Sequence, residues 1–305
     1  MPRTNRDGKA LLAILLAGCA MLPAGAGARA PVLFAERWID GTKGAEPQTQ
    51  VQALDADTFV IRQSVETNFE APFLYLLFGR DKALLVDTGA GGLKIRPTID
   101  RLIGQWLVAH HRTSIPLVVA HSHSHRDHIA GDGEFRERPD TVVIGLKPAD
   151  VAAFFGIKGW PDAIAAFDLG GRRLSIIPAP GHQVADIMLY DPRLKILLSG
   201  DVLYPGRLYV PVNHLAEERA SIDRVAAFAA THPIRVALGT HIEMTRTAGK
   251  DYAQAVPAHP DEHRLELPVT SIRELQQGLK APLDVPGKAQ VHADFIIAPV
   301  AARAE

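Results

Sequence analysis

One cysteine, Cys19, stands among 305 residues. A lone thiol rules out a disulfide framework within the chain, and its place near the N-terminus rules out a cysteine nucleophile in the body. Neither sign of charge is in excess. The net charge is -1, so no global field draws the chain to nucleic acid or to anionic lipid, and no long single-sign run replaces one. Internal repeats, low-complexity tracts and linkers are missing from the body. Long apolar runs are scarce too: the 13 residues from Ala10 to Leu22 are too few to cross a bilayer as a helix. What remains, 47% hydrophobic and 22% charged residues, is the composition of a globular enzyme long enough to bury a substantial core.

The N-terminus reads as an export signal. Arg3, Arg6 and Lys9 precede the short apolar stretch, in the order of an n-region and an h-region. Leu16-Ala17-Gly18-Cys19 is similar to the bacterial lipoprotein box, in which Cys19 would be lipidated and become the mature N-terminus. The alternative is ordinary signal-peptidase cleavage among Ala24, Ala26, Ala28 and Ala30, although Pro31 is a poor first residue. The lipoprotein reading is preferred. Residues 1–30 are thus expected to be a targeting segment, and the mature chain to be periplasmic, touching membrane only through a lipid on Cys19.

Beyond the signal, residues 31–50 read as extended or loop-like. Residues 51–64 read as a strand pair turning at Asp55-Ala56-Asp57, and 73–78 with 83–86 as a hairpin through Gly79-Arg80-Asp81-Lys82. Residues 93–110 carry helical periodicity, with Ile95, Ile99, Leu102, Ile103 and Trp106 on one stripe. Further strands are expected at 115–120, 141–145, 173–178, 186–190, 196–201 and 234–238, with helices at 147–155 and 216–230. The tail offers one helix, 271–279, and one strand, 290–297. Four strands deliver polar groups at their C-terminal ends, where an open α/β sheet binds its ligands.

The densest chemistry lies in His121-Ser122-His123-Ser124-His125-Arg126-Asp127-His128, with four histidines and an aspartate in eight residues. Imidazole and carboxylate together suit borderline divalent metals such as zinc, iron or manganese. Adjacent side chains diverge, so one ion cannot use all five groups, whereas two can. That spacing points to a dinuclear site and a hydrolytic reaction.

His123-Ser124-His125-Arg126-Asp127-His128, followed by Ile129-Ala130-Gly131, fits the His-x-His-x-Asp-His signature of the metallo-β-lactamase superfamily. An aspartate must lie four residues after the first histidine; only His123 satisfies this, and His121 falls outside. Pro180-Gly181-His182, Ser199-Gly200-Asp201 and Gly239-Thr240-His241 follow in the family's order, with Val86-Asp87-Thr88-Gly89 upstream. On these motifs, spanning about residues 50–245, the chain is identified as a member of that superfamily. The resemblance implies an α/β fold, an αββα sandwich of two mixed β-sheets flanked by helices. It would occupy residues 31–257, with 258–305 as a C-terminal extension packed on the same domain.

It also implies two metal sites. His123, His125 and His182 would hold the first ion, Asp127, His128 and His241 the second, and Asp201 would bridge both. The residue types agree: His123 and His125 can point to one side of an extended segment, and bridging needs a carboxylate's two oxygens. Asp87 would accept the free N–H of a ligand histidine and fix its tautomer, while Asp127 would both bind metal and orient the attacking hydroxide. His121 is a further candidate for supporting a ligand, and His214 with Asn213 for the pocket rim. Tyr204, Tyr209 and Arg207 are candidates for the leaving-group acid, with structural roles preferred for each. Trp160 and the loop Asn68-Phe69-Glu70-Ala71 are placed near the pocket without a substrate code; packing is preferred for Trp160. His110, His111 and His232 read as solvated surface, and His259, His263 and His292 as structure or surface.

The expected reaction is extracytoplasmic hydrolysis of an ester, lactone or thioester-type acyl bond by a metal-bridging hydroxide, with two divalent ions, zinc before iron or manganese. Asp201 turns the resemblance away from true β-lactamases, which usually carry cysteine or serine there, and towards glyoxalase-II-like and lactonase-like members. β-Lactam hydrolysis and an iron-dependent oxidoreductase acting on sulfur species are the alternatives. A small-molecule substrate and no nucleic acid are expected as partners.

Overall fold

Alternation along the strands decides how the layers stack. The structure, a computed structural model, describes residues 30–303, so Cys19 and nearly all of the expected targeting segment lie outside the described residues. The first strands are Thr49–Asp55 (β1), Thr58–Gln63 (β2), Phe73–Phe78 (β3) and Ala83–Val86 (β4). After helix Arg96–Ala109 (α1) come Leu117–Ala120 (β5), the short helix Arg126–Ile129 (α2) and Thr141–Val143 (β6). These six strands form one mixed sheet in chain order, antiparallel through β4 and parallel from β4 to β6.

The second half adds Pro148–Phe155 (α3), Ala165–Asp168 (β7), Arg173–Pro178 (β8), Ile187–Asp191 (β9), Ile196–Gly200 (β10), Arg207–Pro211 (β11), Leu215–Thr231 (α4) and Val236–Gly239 (β12). Glu266–Pro268 (β13), Thr270–Gly278 (α5), Gln290–Val291 (β14) and Ile296–Val300 (β15) complete it. The second sheet runs β13-β12-β10-β9-β8-β7, with β10 and β12 parallel and the other pairs antiparallel.

In β4, Leu84 and Val86 face the opposite sheet while Ala83 and Leu85 face α1. In β10, Ile196 and Leu198 point inward while Leu197 meets the side chains of α4 and α5. Strands covered on both faces read as unbroken apolar runs, which is why these were conspicuous in sequence. The result is the expected αββα sandwich. In α1, Ile99, Leu102, Ile103 and Trp106 are all buried. Each contributes about 2 kcal/mol on full burial, more than the propensity of an isolated 14-residue helix could supply.

Departures from the sequence reading have local causes. The helix expected from residue 93 begins at Arg96, because Pro97 is tolerated only in a first turn. The single tail strand is two: β14 and β15 pair antiparallel around a turn at residues 292–295, where His292 N donates to Phe295 O at 2.9 Å. Pro299 fits within β15 because β14 reaches only as far as Ile297, so the missing N–H leaves no ladder bond unmade. Three short strands were not anticipated: β7, β11 and β13. The last is an edge strand of the second sheet, so residues beyond 258 share its hydrogen-bond ladder.

At the end where β8 starts, Arg172 ties the two sheets together. Its guanidinium donates to the Asp57 carbonyl (2.8 Å), the Phe78 carbonyl (3.1 Å), Thr58 Oγ1 (2.7 Å) and, through Nε, Asp191 Oδ2 (3.1 Å). Both charged side chains are almost fully buried.

Candidate metal centre

Five loops reach one place because five strands end there. β4 leads to Asp87, β5 to the histidine cluster, β8 to His182, β10 to Asp201 and β12 to His241. The parallel pairings β4–β5 and β10–β12 set these C-terminal ends side by side within each sheet. Packing the sheets face to face then brings both sets together.

Two groups of donors result, one of His123, His125 and His182 and one of Asp127, His128, Asp201 and His241, with the donor atoms of each group within 4.8 Å of one another. In the first, His125 Nδ1 lies 2.9 Å from His123 Nε2 and 2.9 Å from His182 Nε2. In the second, His128 Nε2 lies 3.0 Å from Asp127 Oδ2 and 3.3 Å from His241 Nε2. Asp201 stands between them. Its Oδ1 is 3.6 Å from His128 Nε2 and 3.4 Å from His241 Nε2, and its Oδ2 is 3.9 Å from His123 Nε2 and 3.7 Å from His182 Nε2. One carboxylate therefore offers one oxygen to each group.

The far ring nitrogens fix the tautomers. His182 Nδ1 donates to the Tyr209 carbonyl and His241 Nδ1 to the Glu70 carbonyl, each at 2.8 Å. His128 Nδ1 donates to Asp87 Oδ2 at 3.0 Å. With Nδ1 committed to donating, Nε2 is the nitrogen left to face the centre, where a metal would take its lone pair. Asp87 sits at φ +68°, a region open to aspartate more than to most side chains. There its carboxylate also accepts Ser122 N at 2.7 Å and Ser122 Oγ at 2.9 Å. Thr240 Oγ1 holds Asp201 Oδ1 in the same manner. Convergent lone pairs, settled tautomers and a two-faced carboxylate fit a pair of divalent ions.

Charge divides the two groups. Burial, and then neighbouring imidazoles, hold His123 well below the usual histidine range and bring His125 to about 4; burial also lowers His182. In the second group burial again disfavours charge, but the carboxylates outweigh it. Asp127, Asp201 and Asp87 raise His128 well above its usual value, and Asp201 and Asp127 raise His241 to about 10. Asp127 and Asp201 are correspondingly held well below the carboxylate range, against the opposing effect of burial.

The other candidates fall elsewhere. His121 turns away from the centre to Asp132 Oδ1 (2.8 Å), which also accepts Thr88 Oγ1 (2.9 Å), so it braces the loop under His128. Arg207 is held by Glu243 and Asp251, and the Tyr204 hydroxyl donates to the Arg207 carbonyl at 2.6 Å; both are structural. The Tyr209 hydroxyl accepts from Arg207 Nε at 2.8 Å. Trp160 packs against the intersheet core. His259 is buried against Glu262 (3.0 Å) and stacked on Tyr252. His232 stacks on Phe228 and His110 on Trp106, so both do more than face solvent. Sequence reasoning missed Ser122, Thr240 and the carbonyls of Glu70 and Tyr209. The first two neighbour ligands in sequence; carbonyls leave no mark, since every residue has one. It also missed Asp186, 3.8 Å from His123 Nδ1 and raised by burial well above the carboxylate range, and Glu218, which burial pushes up to about 8.

The model of the metallo-beta-lactamase superfamily matches residues 68–231, more than half of the chain, and covers every donor named above except His241. The chain belongs to the metallo-beta-lactamase superfamily. It is an enzyme of a hydrolase family whose members generally bind divalent metals, and the two donor groups just described could hold such ions. Among curated relatives, acyl-coenzyme A thioesterase MBLAC2 of Gallus gallus is 24% identical over 56% of this chain and 72% of its own length. The same enzyme of Bos taurus is 25% identical over 50% of this chain and 66% of its own. Hydroxyacylglutathione hydrolase of Mesorhizobium japonicum is 25% identical over 52% of this chain and 66% of its own. The fold is shared with a metallo-beta-lactamase from Pontibacter korlensis, 19% identical with a TM-score of 0.50 over 77% of this chain and all of that one. FIM-1 from Pseudomonas aeruginosa, 14% identical with a TM-score of 0.51, covers 77% of this chain and 96% of its own.

Proposed function

We propose that this chain is an exported hydrolase that uses two divalent ions, zinc in the first place, to cleave an ester, lactone or thioester acyl bond. The observation that carries the reading is Asp201, whose two oxygens face two separate donor groups. His123, His125 and His182 would hold one ion, Asp127, His128 and His241 the other, with Asp201 shared. Bound ions of this kind supply hydroxide at neutral pH and a Lewis acid for the acyl carbonyl. Asp127, with 23% of its side chain exposed against 8% for Asp201, is the carboxylate open to a reacting water and the group to orient it. Thioesters lead the three substrates, because the relatives in hand are named for thioester cleavage or for hydrolysis of an acyl-glutathione. Export rests on the basic residues and short apolar stretch before Cys19.

The deciding experiment expresses the chain with its own leader, recovers it from periplasmic and membrane fractions, and measures metal content alongside hydrolysis of thioesters, lactones, phosphodiesters and β-lactams. Two zinc ions per chain and turnover of an acyl substrate are expected. Iron, with activity lost under anaerobic reducing conditions, would sink the proposal, as would recovery only from the cytoplasm for its export part.

Proton release distinguishes the two groups. His128 and His241 carry their second proton at pH 7 in the metal-free protein, because their values are raised; the histidines of the first group, being lowered, do not. Filling the second group should therefore expel about two protons more than filling the first, apart from any released by metal-bound water. Zinc titration by calorimetry in buffers of different ionisation enthalpy reads this directly. Equal release for both ions would contradict it.

A further inference from the structure

The small third sheet carries the tail to the rim of the metal centre. β11 and β15 pair in parallel with Pro211 opposite Val300, and the Tyr209 carbonyl of β11 orients His182. Beyond the pairing, residues 301–303 run alongside residues 212–214. There the Asn213 side chain clasps the backbone of Arg303 from both sides: Oδ1 accepts Arg303 N at 3.1 Å, and Nδ2 donates to Arg303 O at 3.2 Å. This sets the Arg303 guanidinium against the outer edge of His125, with Nη1 3.4 Å from Nε2.

That approach has a chemical consequence. His125 Nδ1 faces His123 Nε2 and His182 Nε2, each at 2.9 Å, so with an ion in the first group Nδ1 would give it its lone pair and Nε2 would carry the ring's proton. A guanidinium has donors only. Two donors therefore stand side by side at the partly exposed face of His125, and neither can satisfy the other. An anionic oxygen placed between them would accept from both, and arginine is the side chain best suited to grip a carboxylate.

We infer that Arg303, with His125 Nε2–H, forms a carboxylate seat on the first-group side of the site, selecting acyl substrates that bear a carboxylate. This rests on the proposed acyl hydrolysis and adds the substrate's charge. Arg303 is a specificity-determining residue: it positions the substrate and takes no part in breaking the bond.

The test pairs two esters of one chromogenic alcohol, a hemisuccinate and a butyrate, with two butanoyl thioesters, one of thioglycolate and one of mercaptoethanol. These put a carboxylate on the acyl side, on the leaving-group side, or on neither. Wild type should prefer at least one carboxylated member. Arg303→Ala should lower kcat/KM for that member about fivefold, mostly through KM, as for an exposed charge pair. Its neutral partner should be unchanged, and Arg303→Lys should keep part of the preference. Succinate binding to metal-depleted protein, followed by calorimetry, is an independent readout and should weaken in Arg303→Ala. If the chain hydrolyses none of these substrates, the acyl reading fails while succinate binding still decides the seat. Equal losses on charged and neutral partners, or succinate binding indifferent to Arg303, would overturn the inference.

Discussion

Asp201→Ala is expected to leave a folded protein that holds fewer than two ions per chain and hydrolyses its substrate about a thousandfold more slowly. The argument is geometric. Each oxygen of Asp201 serves a different group, Oδ1 facing His128 and His241 and Oδ2 facing His123 and His182. Alanine removes the shared ligand from both, and the remaining donors no longer define how far apart two ions sit. A catalytic ion supplies several kcal/mol of transition-state stabilisation, which at 1.4 kcal/mol per decade is about a thousandfold. Asp201→Asn sharpens the result: the amide keeps the shape but has one oxygen, so one group gains an N–H donor where a lone pair stood. One ion per chain is expected there. Elemental analysis of the purified variants, with circular dichroism to establish the fold, checks both, and two ions retained in either would refute the bridging role.

Arg172→Ala should act on stability alone, lowering the free energy of unfolding by about 3–5 kcal/mol. The guanidinium satisfies two carbonyls and a hydroxyl of the first sheet and its β1–β2 turn, and the Asp191 carboxylate of the second. Its removal leaves the buried Asp191 carboxylate without its cation, with the Arg193 N–H still donating to it, and breaking a buried ion pair by removing one partner is costly. The pair lies where β8 begins, and His182 follows where β8 ends, so turnover per folded molecule should match wild type. Urea unfolding measures the loss. Arg172→Met combined with Asp191→Leu should recover much of it, since well-packed apolar substitutes often replace a buried pair without penalty. A single variant within 1 kcal/mol of wild type would show that water reaches the gap.

The two donor groups were legible in sequence because much of their motif is local and its chemistry rare: His123, His125, Asp127 and His128 fall within six residues. His182, Asp201 and His241 were legible because each ends a short apolar run, a position where ligand residues concentrate. The layers were legible because runs such as 196–200 are apolar on both faces. β7 escaped notice because Ala165-Ala166-Phe167-Asp168 has no β-branched residue. β11 escaped for a different reason. Arg207 and Tyr209 drew attention as reactive side chains, while Leu208 and Val210 alternating with them mark a strand. The place of Arg303 depends on the register between β11 and β15, which only the paired backbone reveals.

Neither donor group belongs to one sheet. His123 and His125 come from the first and His182 from the second; Asp127 and His128 come from the first and Asp201 and His241 from the second. The distance across each group is therefore gauged by the thickness of the apolar layer between the sheets, to which Val86, Val118, Leu189 and Leu198 contribute. Side chains that never approach a substrate thereby acquire a dimensional tolerance. Packed interiors feel the loss of one methylene, so a change of volume in the interlayer reaches the spacing of both donor groups.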